Sequence, residues 1–248
     1  MRSHSSSLLA PFALWLCQAS AAGPPVFSIT TFTTSSTALR DQLISRHDNI
    51  SRWSCANEPG VAKYALAIPR GGGNNLTAYA IAEYDDDAAL NKHLAADEVS
   101  KTLLDWSKAT PNLFAKDPTV QNLTVVDGTN FVKPEFAKAA DPYIVVEAQT
   151  YLQGGLHHAL EHWEEEVDAS RQENGTLAFG LYTDPANKNG LWIVAAYESE
   201  EYLTNTHAKS PTALEVEEHT SGMRKSLQRT LLQKSGGFLY RGSPSSCG

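Results

Sequence analysis

The sequence of 248 residues has little of what marks several large classes of protein. It has three cysteines and two methionines, and its 20 lysines and arginines are outnumbered by 28 acidic residues, which gives a formal net charge of −8. Nucleic-acid-binding surfaces need clustered lysine and arginine, so this balance argues against a nucleic acid partner. No apolar run is long enough to span a bilayer, so we expect a mature chain without a membrane partner.

Motifs for nucleotide binding and for serine-hydrolase chemistry are also missing. The sequence has no Ser-His-Asp signature, no Walker loop and no Rossmann fingerprint. The run Gly71-Gly72-Gly73 falls in a predicted hairpin turn and opens no helix, so it is not expected to cradle a phosphate group.

The first residues have the features of a secretory signal peptide over residues 1–21. Arg2 supplies a positive charge, residues 8–17 are apolar, and residues 19–21 fit a cleavage site between small residues. The alternative is an N-terminal segment of a cytosolic protein without regular structure. We expect a secreted glycoprotein, because the chain also carries four glycosylation sequons. These sequons begin at Asn49, Asn75, Asn122 and Asn174.

Cysteine usage leaves one question open. Cleavage of the signal would remove Cys17 and leave Cys55 and Cys247. An oxidising compartment would allow these two to form a disulfide. Because one pair has no spacing signature, the sequence does not decide between a disulfide and two separate thiols.

Two long stretches of the chain, residues 58–93 and 173–207, repeat the same order of features. Each begins with Glu-x-Gly, continues through two strands joined by a Gly/Asn turn, and ends in a helix that carries a histidine. A repeat of this length indicates duplication of a whole small domain. The matched residues are Glu58 and Glu173, Gly60 and Gly175, Tyr64 and Phe179, Tyr84 and Tyr197, and His93 and His207.

Periodicity and turn signals divide the chain into a repeat at residues 26–126, a linker at 127–141, a second repeat at 142–240 and a tail at 241–248. Each repeat is predicted as β-α-β-β-α-β, which is the ferredoxin-like order. A sheet with helices on one face leaves its other face uncovered. We therefore predict that the two sheets face each other within the chain.

The sequence also predicts the bounds of the last elements in each repeat. The first repeat is expected to end with a strand from residue 120 to 126. The second is expected to end with a helix from residue 212 to about 227 and a strand from 230 to 240.

The segment 58–60 and the helix start from Glu83 to His93 resemble the antibiotic biosynthesis monooxygenase family. That family usually shows Glu-x-Gly at a strand start and an aromatic residue, an acid, a small residue and a histidine at a helix start. The second copy departs slightly, with one more residue before the histidine and Tyr202 where the family prefers a small residue. The resemblance covers both repeats and is greatest to the duplicated form found in fungi. It implies an α+β fold in which tandem ferredoxin-like repeats form an intramolecular dimeric α+β barrel.

The resemblance also implies an activity. Members of the family often oxidise small phenols or quinols with dioxygen, and the substrate anion itself activates oxygen, so the protein binds, deprotonates and excludes water. The expected protein is thus a cofactor-independent monooxygenase that uses no metal and whose partners are a small aromatic metabolite and dioxygen. Two alternatives stay open: a non-catalytic small-molecule-binding protein, and a cyclase, isomerase or decarboxylase on the same scaffold.

Four residues of the first repeat are the candidates for catalysis: His93, Trp53, Asn57 and Tyr64. A neutral imidazole can accept a phenolic proton as a general base. The other three are of the types that family enzymes use to hold a flat aromatic substrate. The alternative is structural, because the matched histidines could close the packing of helix on sheet and aromatic residues on a helix are common in cores.

A second pattern is a set of possible metal ligands. His158, His162 and Glu166 lie four residues apart on one predicted helix face, where two histidines and a carboxylate could bind zinc. The metalloprotease motif would need glutamate at Ala159, and the neighbouring residues are strongly charged. We therefore interpret this face as solvated, without a metal.

A third pattern concerns volume. The third strand of the first repeat carries small residues where the corresponding strand of the second repeat carries larger ones on the same face. Because cores are close-packed, that volume is either filled by other side chains or left as a pocket. We therefore expect any cavity to lie in the first repeat. The compared residues are Ala78, Ala80 and Ala82 against Leu191, Ile193 and Ala195.

Overall fold

The computed structural model describes residues 23–72 and 75–241. The predicted signal peptide, Cys17, Cys247 and nearly all of the predicted tail lie outside these residues. Cys55 is disulfide-bonded. In the described part of the chain, no helix has the length and apolar character needed to cross a lipid bilayer.

The first repeat begins with a strand and a long helix. Ser36 starts the helix, because its hydroxyl accepts a hydrogen bond from the Leu39 N–H over 3.2 Å. The strands are β1 (Val26–Thr34), β2 (Val61–Pro69), β3 (Thr77–Tyr84) and β4 (Phe114–Val125). The helices are α1 (Thr37–Asn57), α2 (Asp87–Ala95), α3 (Asp97–Val99) and α4 (Trp106–Ala109), with a π-helical segment at Ser100–Asp105.

The second repeat follows a connection that has structure of its own. This connection holds β5 (Phe131–Val132) and a 3-10 turn at Pro134–Lys138, in which Phe136 is buried. The strands of the repeat are β6 (Tyr143–Tyr151), β7 (Thr176–Asp184), β8 (Asn187–Tyr197) and β9 (Arg224–Phe238). The helices are α5 (Gly155–Gln172), α6 (Glu200–Asn205) and α7 (Pro211–Thr220), with 3-10 turns at His207–Lys209 and Ser221–Met223.

The eight long strands close into one antiparallel barrel. Their order is β4-β1-β3-β2 in the first repeat and β9-β6-β8-β7 in the second, which is the ferredoxin-like order in both. Pairing of β2 with β9 joins the repeats on one side, and pairing of β4 with β7 joins them on the other. The predicted α+β fold, with tandem ferredoxin-like repeats in an intramolecular barrel, is confirmed.

The sheets bury apolar residues on both of their faces. One core lies between the two sheets and includes Phe27, Ile81, Ile144, Tyr182 and Leu232. Two further cores lie where each sheet is covered by its own helices. Because residues along a strand alternate between faces, a strand contributes side chains both to the core between the sheets and to the core under the helices of its own repeat.

Two predicted boundaries are wrong at the longest strands. Strand β4 begins at Phe114, before the predicted start at residue 120, and β9 begins at Arg224, inside a segment predicted as helix. Strand β9 pairs with β6 over its first part and with β2 over Tyr64 to Pro69. Its length is therefore decided by ladder hydrogen bonds to two different sheets, which no local pattern records.

The glycines of the two Glu-x-Gly motifs are required by close packing. A Cβ atom on Gly60 would lie 2.9 Å from the Cβ atom of Ala89 on α2. A Cβ atom on Gly175 would overlap the ring of Tyr202 on α6. The motif thus lets the second helical segment of each repeat rest directly on the start of a strand.

The Gly175→Ala substitution should lower the free energy of unfolding by about 1–3 kcal/mol, because the added methyl group overpacks the contact with Tyr202. Urea denaturation measures this change. Gly222→Ala is the matched control, since a Cβ atom there meets open space. Adding Tyr202→Ala should make Gly175→Ala less costly. Equal effects at residues 175 and 222 would show that the close approach is unimportant.

Candidate active site

A cavity of about 320 Å³ lies in the second repeat, between its sheet and the helices that cover it. Its floor comes from β6, β7 and β8, and its walls from α5, α6 and α7. Polar side chains in the wall include Glu147, Gln149, Glu166, His207 and Arg229. The volume is within the range of small-molecule sites, which combine apolar walls with a few convergent polar groups.

His207 is held in this wall by a carboxylate on each side of its ring. Its Nδ1 lies 2.9 Å from Glu173 Oε2, and its Nε2 lies 3.4 Å from Glu166 Oε1. Burial alone would raise the pKa of Glu173, but hydrogen bonds from His207 and Thr176 and the charges of His207 and Lys133 outweigh it and lower that pKa. Glu173 is therefore the ionised partner that orients the imidazole.

Glu166 is the buried acid of the cavity. Its side chain is 1% exposed, and Ser170 donates a hydrogen bond of 3.3 Å to Oε1. Its Oε2 has no well-aligned hydrogen-bond partner among the described residues. Burial raises the pKa of the Glu166 carboxyl, and hydrogen bonding to Thr212 and the charge of His207 offset only part of that effect. A carboxylate of this kind is poised to take up a proton.

A chain of hydrogen bonds connects the opposite wall. Trp163 Nε1 donates to the Tyr151 hydroxyl over 2.9 Å, and that hydroxyl donates to Gln149 Oε1 over 2.6 Å. Gln149 Nε2 donates to Glu147 Oε2 over 2.9 Å, and Arg229 Nε donates to Glu147 Oε1 over 2.6 Å. The chain fixes the rotamers of the polar groups that line the cavity.

Glu166, Glu173 and His207 also form the group of possible metal ligands with mutual distances within 4.8 Å. The two carboxylates contact different nitrogens of the ring, however, so an ion bound to one nitrogen would leave the other carboxylate bonded to the ring and not to the ion. The arrangement therefore suits proton sharing better than three-ligand coordination.

The predicted face of His158, His162 and Glu166 does not form as a unit. His158 is exposed, and His162 stacks on His219 with ring centroids 4.4 Å apart. Glu166 is buried and points toward His207, so our interpretation of this face as fully solvated is wrong at that residue. The reason is that α7 packs across α5 and covers the end of the face.

The equivalent space in the first repeat is filled by side chains. Tyr64 lies among Ala80, Ala82 and Tyr84 in the core under α1, and its hydroxyl is 2.8 Å from His47 Nδ1. Phe32 packs against the His47 ring, with centroids 5.2 Å apart. The expectation of a cavity in the first repeat is therefore wrong, because larger neighbours occupy the volume that the alanines release.

The repeats differ at two equivalent positions of their long helices. The matched residues Glu58 and Glu173 donate their N–H groups to the carbonyls of Ser54 and Ser170, and both serines are fully buried, so we match these two serines. Four residues before them the first repeat has buried Ile50 and the second has buried Glu166. Three residues earlier still, His47 stands where the second repeat has Trp163. The acid and the tryptophan of the cavity are thus particular to the second repeat.

The structure brings together two of the four predicted catalytic residues. The rings of Tyr64 and His93 lie 5.2 Å apart, and His93 Nδ1 is 2.7 Å from Glu58 Oε2. Trp53 is half-buried, and Asn57 is exposed with its amide donating to the Trp53 carbonyl over 2.8 Å. None of the four lines the cavity of the second repeat. Their assignment to catalysis stays a prediction.

Glu147, Gln149 and Arg229 were not among the candidates, because each is polar and looks like a surface residue in the sequence. One signal was available in strand β6. Glu147 and Gln149 follow Tyr143 and Val145 at alternating positions, which places two polar residues on a face that must be buried. Buried polar residues on a core face usually mark a site or a hydrogen-bond network.

The protein has the fold of the dimeric α+β barrel proteins, in which two ferredoxin-like units close into one barrel. In this protein a single chain supplies both units, and a cavity lies between the sheet and the helices of one of them. Residues 142–218 match the family described as antibiotic biosynthesis monooxygenase. This match lies in the second repeat, and the first repeat has the same strand order. The resemblance of the whole chain to duplicated fungal members of the family stays a prediction. No curated sequence matches the chain significantly.

Solved structures with this fold cover most of the chain. A proposed monooxygenase from Lactobacillus acidophilus has a TM-score of 0.72 at 17% identity, covering 87% of this chain and 98% of its own. One from Fusobacterium nucleatum has a TM-score of 0.71 at 17% identity, with coverage of 87% and 97%. An anthrone oxidase-like protein has a TM-score of 0.57 at 12% identity, with coverage of 85% and 91%. At these identities the similarity establishes the fold.

The filled space of the first repeat should make stability sensitive to acid. Burial, helped by the charge of His93, lowers the pKa of His47 to about 3. The unfolded chain takes up this proton near pH 6.5, so the folded state loses stability as the pH falls from about 6.5 to about 3. The His47→Phe variant should remove up to about 1.4 kcal/mol per pH unit from that slope in urea titrations.

His158→Phe is the control for this experiment, because His158 is exposed on α5. It should keep the slope of the unsubstituted protein. If His47→Phe and the unsubstituted protein lost stability in parallel below pH 6.5, a neutral buried His47 would be ruled out.

Proposed function

We propose that this protein is a cofactor-independent monooxygenase that oxidises a small phenolic or anthrone-type metabolite in the cavity of the second repeat. One observation carries the proposal: the buried Glu166 carboxyl has an unpartnered oxygen and a raised pKa beside His207 in the cavity wall. A buried carboxylate oxygen without a well-aligned hydrogen bond costs stability, so its presence is better explained by a use in binding or proton transfer.

In this proposal, Glu166 takes a proton from the acidic C–H or O–H of the substrate. The substrate anion gives its electrons to dioxygen, a C–O bond forms, and the peroxide takes the proton back from Glu166. Loss of a second C–H proton breaks the O–O bond. The carbon becomes a carbonyl, and the other oxygen leaves as water, so one CH₂ group and one O₂ give one C=O and one H₂O.

The remaining groups of the cavity have supporting roles. Glu173 orients the His207 ring, which presents its Nε2 to Glu166 and to an anion that develops beside it. Tyr197 stays protonated, because burial and the nearby carboxylates raise its pKa well above the ordinary value. Apolar lining residues such as Val145, Phe179 and Ile193 exclude water from the reactive anion.

The match of residues 142–218 to the family model supports oxygen chemistry, and the fold shared with an anthrone oxidase-like protein supports a fused aromatic substrate. The same base would also serve a cyclase, isomerase or decarboxylase, which would consume no oxygen. A non-catalytic binder would not need a buried acid with a raised pKa beside a histidine. Oxygen uptake therefore separates the proposal from both alternatives.

Export of the protein is a second part of the proposal. All four sequon asparagines, Asn49, Asn75, Asn122 and Asn174, are exposed. Each could carry a glycan without disturbing a core. Cys55 is disulfide-bonded, which is in keeping with an oxidising compartment.

Oxygen consumption by the purified protein should be measured against a panel of hydroquinones and anthrones. Glu166→Gln should lower kcat by about 10²–10⁴-fold, since it removes a general base. His207→Ala should lower it as well, whereas the equivalent change in the first repeat, His93→Ala, should leave kcat unchanged once the folded fraction is matched. Trp53→Phe should also have no effect. Absence of uptake above the buffer rate with every compound would refute oxygenase activity.

The pH dependence of the same reaction provides a separate test. Because burial raises the pKa of Glu166, the rate should rise with pH through an ionisation above the ordinary value near 4.3. The proton is bound more tightly in the folded state, so this group stabilises the fold at low pH and loses that contribution as the pH rises through the folded pKa. Glu166→Gln should therefore raise the Tm at pH 8 more than at pH 4, while lowering activity. A variant that loses both stability and activity at pH 8 would indicate a structural role.

A further inference from the structure

A second cavity, of about 430 Å³, lies inside one end of the barrel, between the two sheets. It shares no lining residue with the cavity under the helices. The separation follows from strand alternation, because Glu147 and Gln149 on β6 face the helices while Val146 and Ala148 on the same strand face the barrel. The barrel cavity is therefore a distinct site, independent of the proposed oxygenase.

The cavity exists because the residues that point into the barrel change along its axis. At the opposite end, large side chains such as Phe27, Ile144 and Tyr182 leave a space of only about 20 Å³. An eight-stranded barrel has an interior that side chains can fill or that can hold one small ligand. In this protein, side chains fill one end of the barrel, and the other end has space for a small ligand. The inward residues at the open end include Thr31, Thr33, Thr77, Thr119, Thr230, Gln121 and Gln228.

Both repeats contribute equivalent positions to this cavity. Tyr79 pairs with Thr31 across β3 and β1, and Trp192 pairs with Ala148 across β8 and β6. The two aromatic residues therefore come from matched strands of facing sheets. They provide flat walls against which a ring can stack.

The polar groups of the wall restrict the charge of a ligand. Among the described residues, Lys116 is the charged side chain in the wall, and no carboxylate lines the cavity. The chain as a whole has a net charge of −8. Within this cavity, however, the positive charge of Lys116 attracts an anion locally. The threonine hydroxyls and glutamine amides both donate and accept hydrogen bonds, which suits a ligand that carries hydroxyl groups.

We propose that the barrel cavity binds a small aromatic carboxylate that carries hydroxyl groups. The ring lies between Tyr79 and Trp192, the carboxylate pairs with Lys116, and the ring hydroxyls bond to the threonine and glutamine side chains. Binding sites in the mouths of β-barrels have this combination of an apolar wall and a few polar groups that fix orientation.

The probe for this proposal is 3,5-dihydroxybenzoate, followed by tryptophan fluorescence. Trp192 lines the barrel cavity and Trp163 lines the cavity under the helices, so the two sites have separate reporters. The probe should change the fluorescence of the unsubstituted protein and of Trp163→Phe, and this response should be lost in Trp192→Phe. A response carried by Trp163 alone would overturn the proposal.

Lys116→Gln should weaken binding about three- to tenfold, because the lysine is at the exposed mouth of the barrel and its ion pair is partly screened. Lys225→Gln is the matched control, since Lys225 is exposed on β9 and does not line the cavity. The methyl ester of the probe should bind the unsubstituted protein more weakly by the same factor. Equal affinity for acid and ester would exclude recognition of the charge.

Filling the cavity should abolish binding. Ala148→Phe places a ring in the space, and Thr230→Leu is a second variant in case the first does not fold. Either folded variant should lose the response to the probe at Trp192 and keep its oxygen uptake, which distinguishes failure of this proposal from failure of the proposed oxygenase. Unchanged affinity in a folded filling variant would show that the probe binds elsewhere.

Discussion

The pairing of β2 with β9 and of β4 with β7 is the constraint on which the structure depends. Each repeat has helices on only one face of its sheet, and the other face carries residues such as Phe27 and Ile144 that must leave water. The two seams close the sheets around these residues. They also remove the free strand edges that a lone repeat would expose. Covalent linkage of the two units makes this association independent of protein concentration.

Closure of the barrel allows the two helix-facing cores to differ. The shared interior stabilises both repeats, so the second can bury Glu166 beside His207 at a cost to stability that the first repeat does not bear. In the first repeat the same space is packed with Tyr64 and His47. A duplicated chain can have this asymmetry because its two repeats differ in sequence, whereas the identical subunits of a homodimer cannot.

The matched motifs identified the architecture because their residues have strict local roles. Gly60 and Gly175 are needed where a helix touches a strand, and His93 and His207 each bond to the glutamate of the motif. The same motifs could not distinguish the two repeats, since both keep them. His93 was a candidate as a histidine of the motif, and Trp53, Asn57 and Tyr64 were candidates by residue type.

The sequence by itself determined the duplication, the ferredoxin-like order and the need for the two sheets to face each other, because these follow from periodic burial and from turn chemistry, which are local. Tertiary structure alone decided where the cavities lie. Whether the space released by Ala80 and Ala82 is filled depends on Tyr64 and on Phe32, which are distant in sequence. Whether Glu166 meets water or His207 depends on α7 crossing α5. Volume and charge at a site are sums over neighbours that only the folded chain brings together.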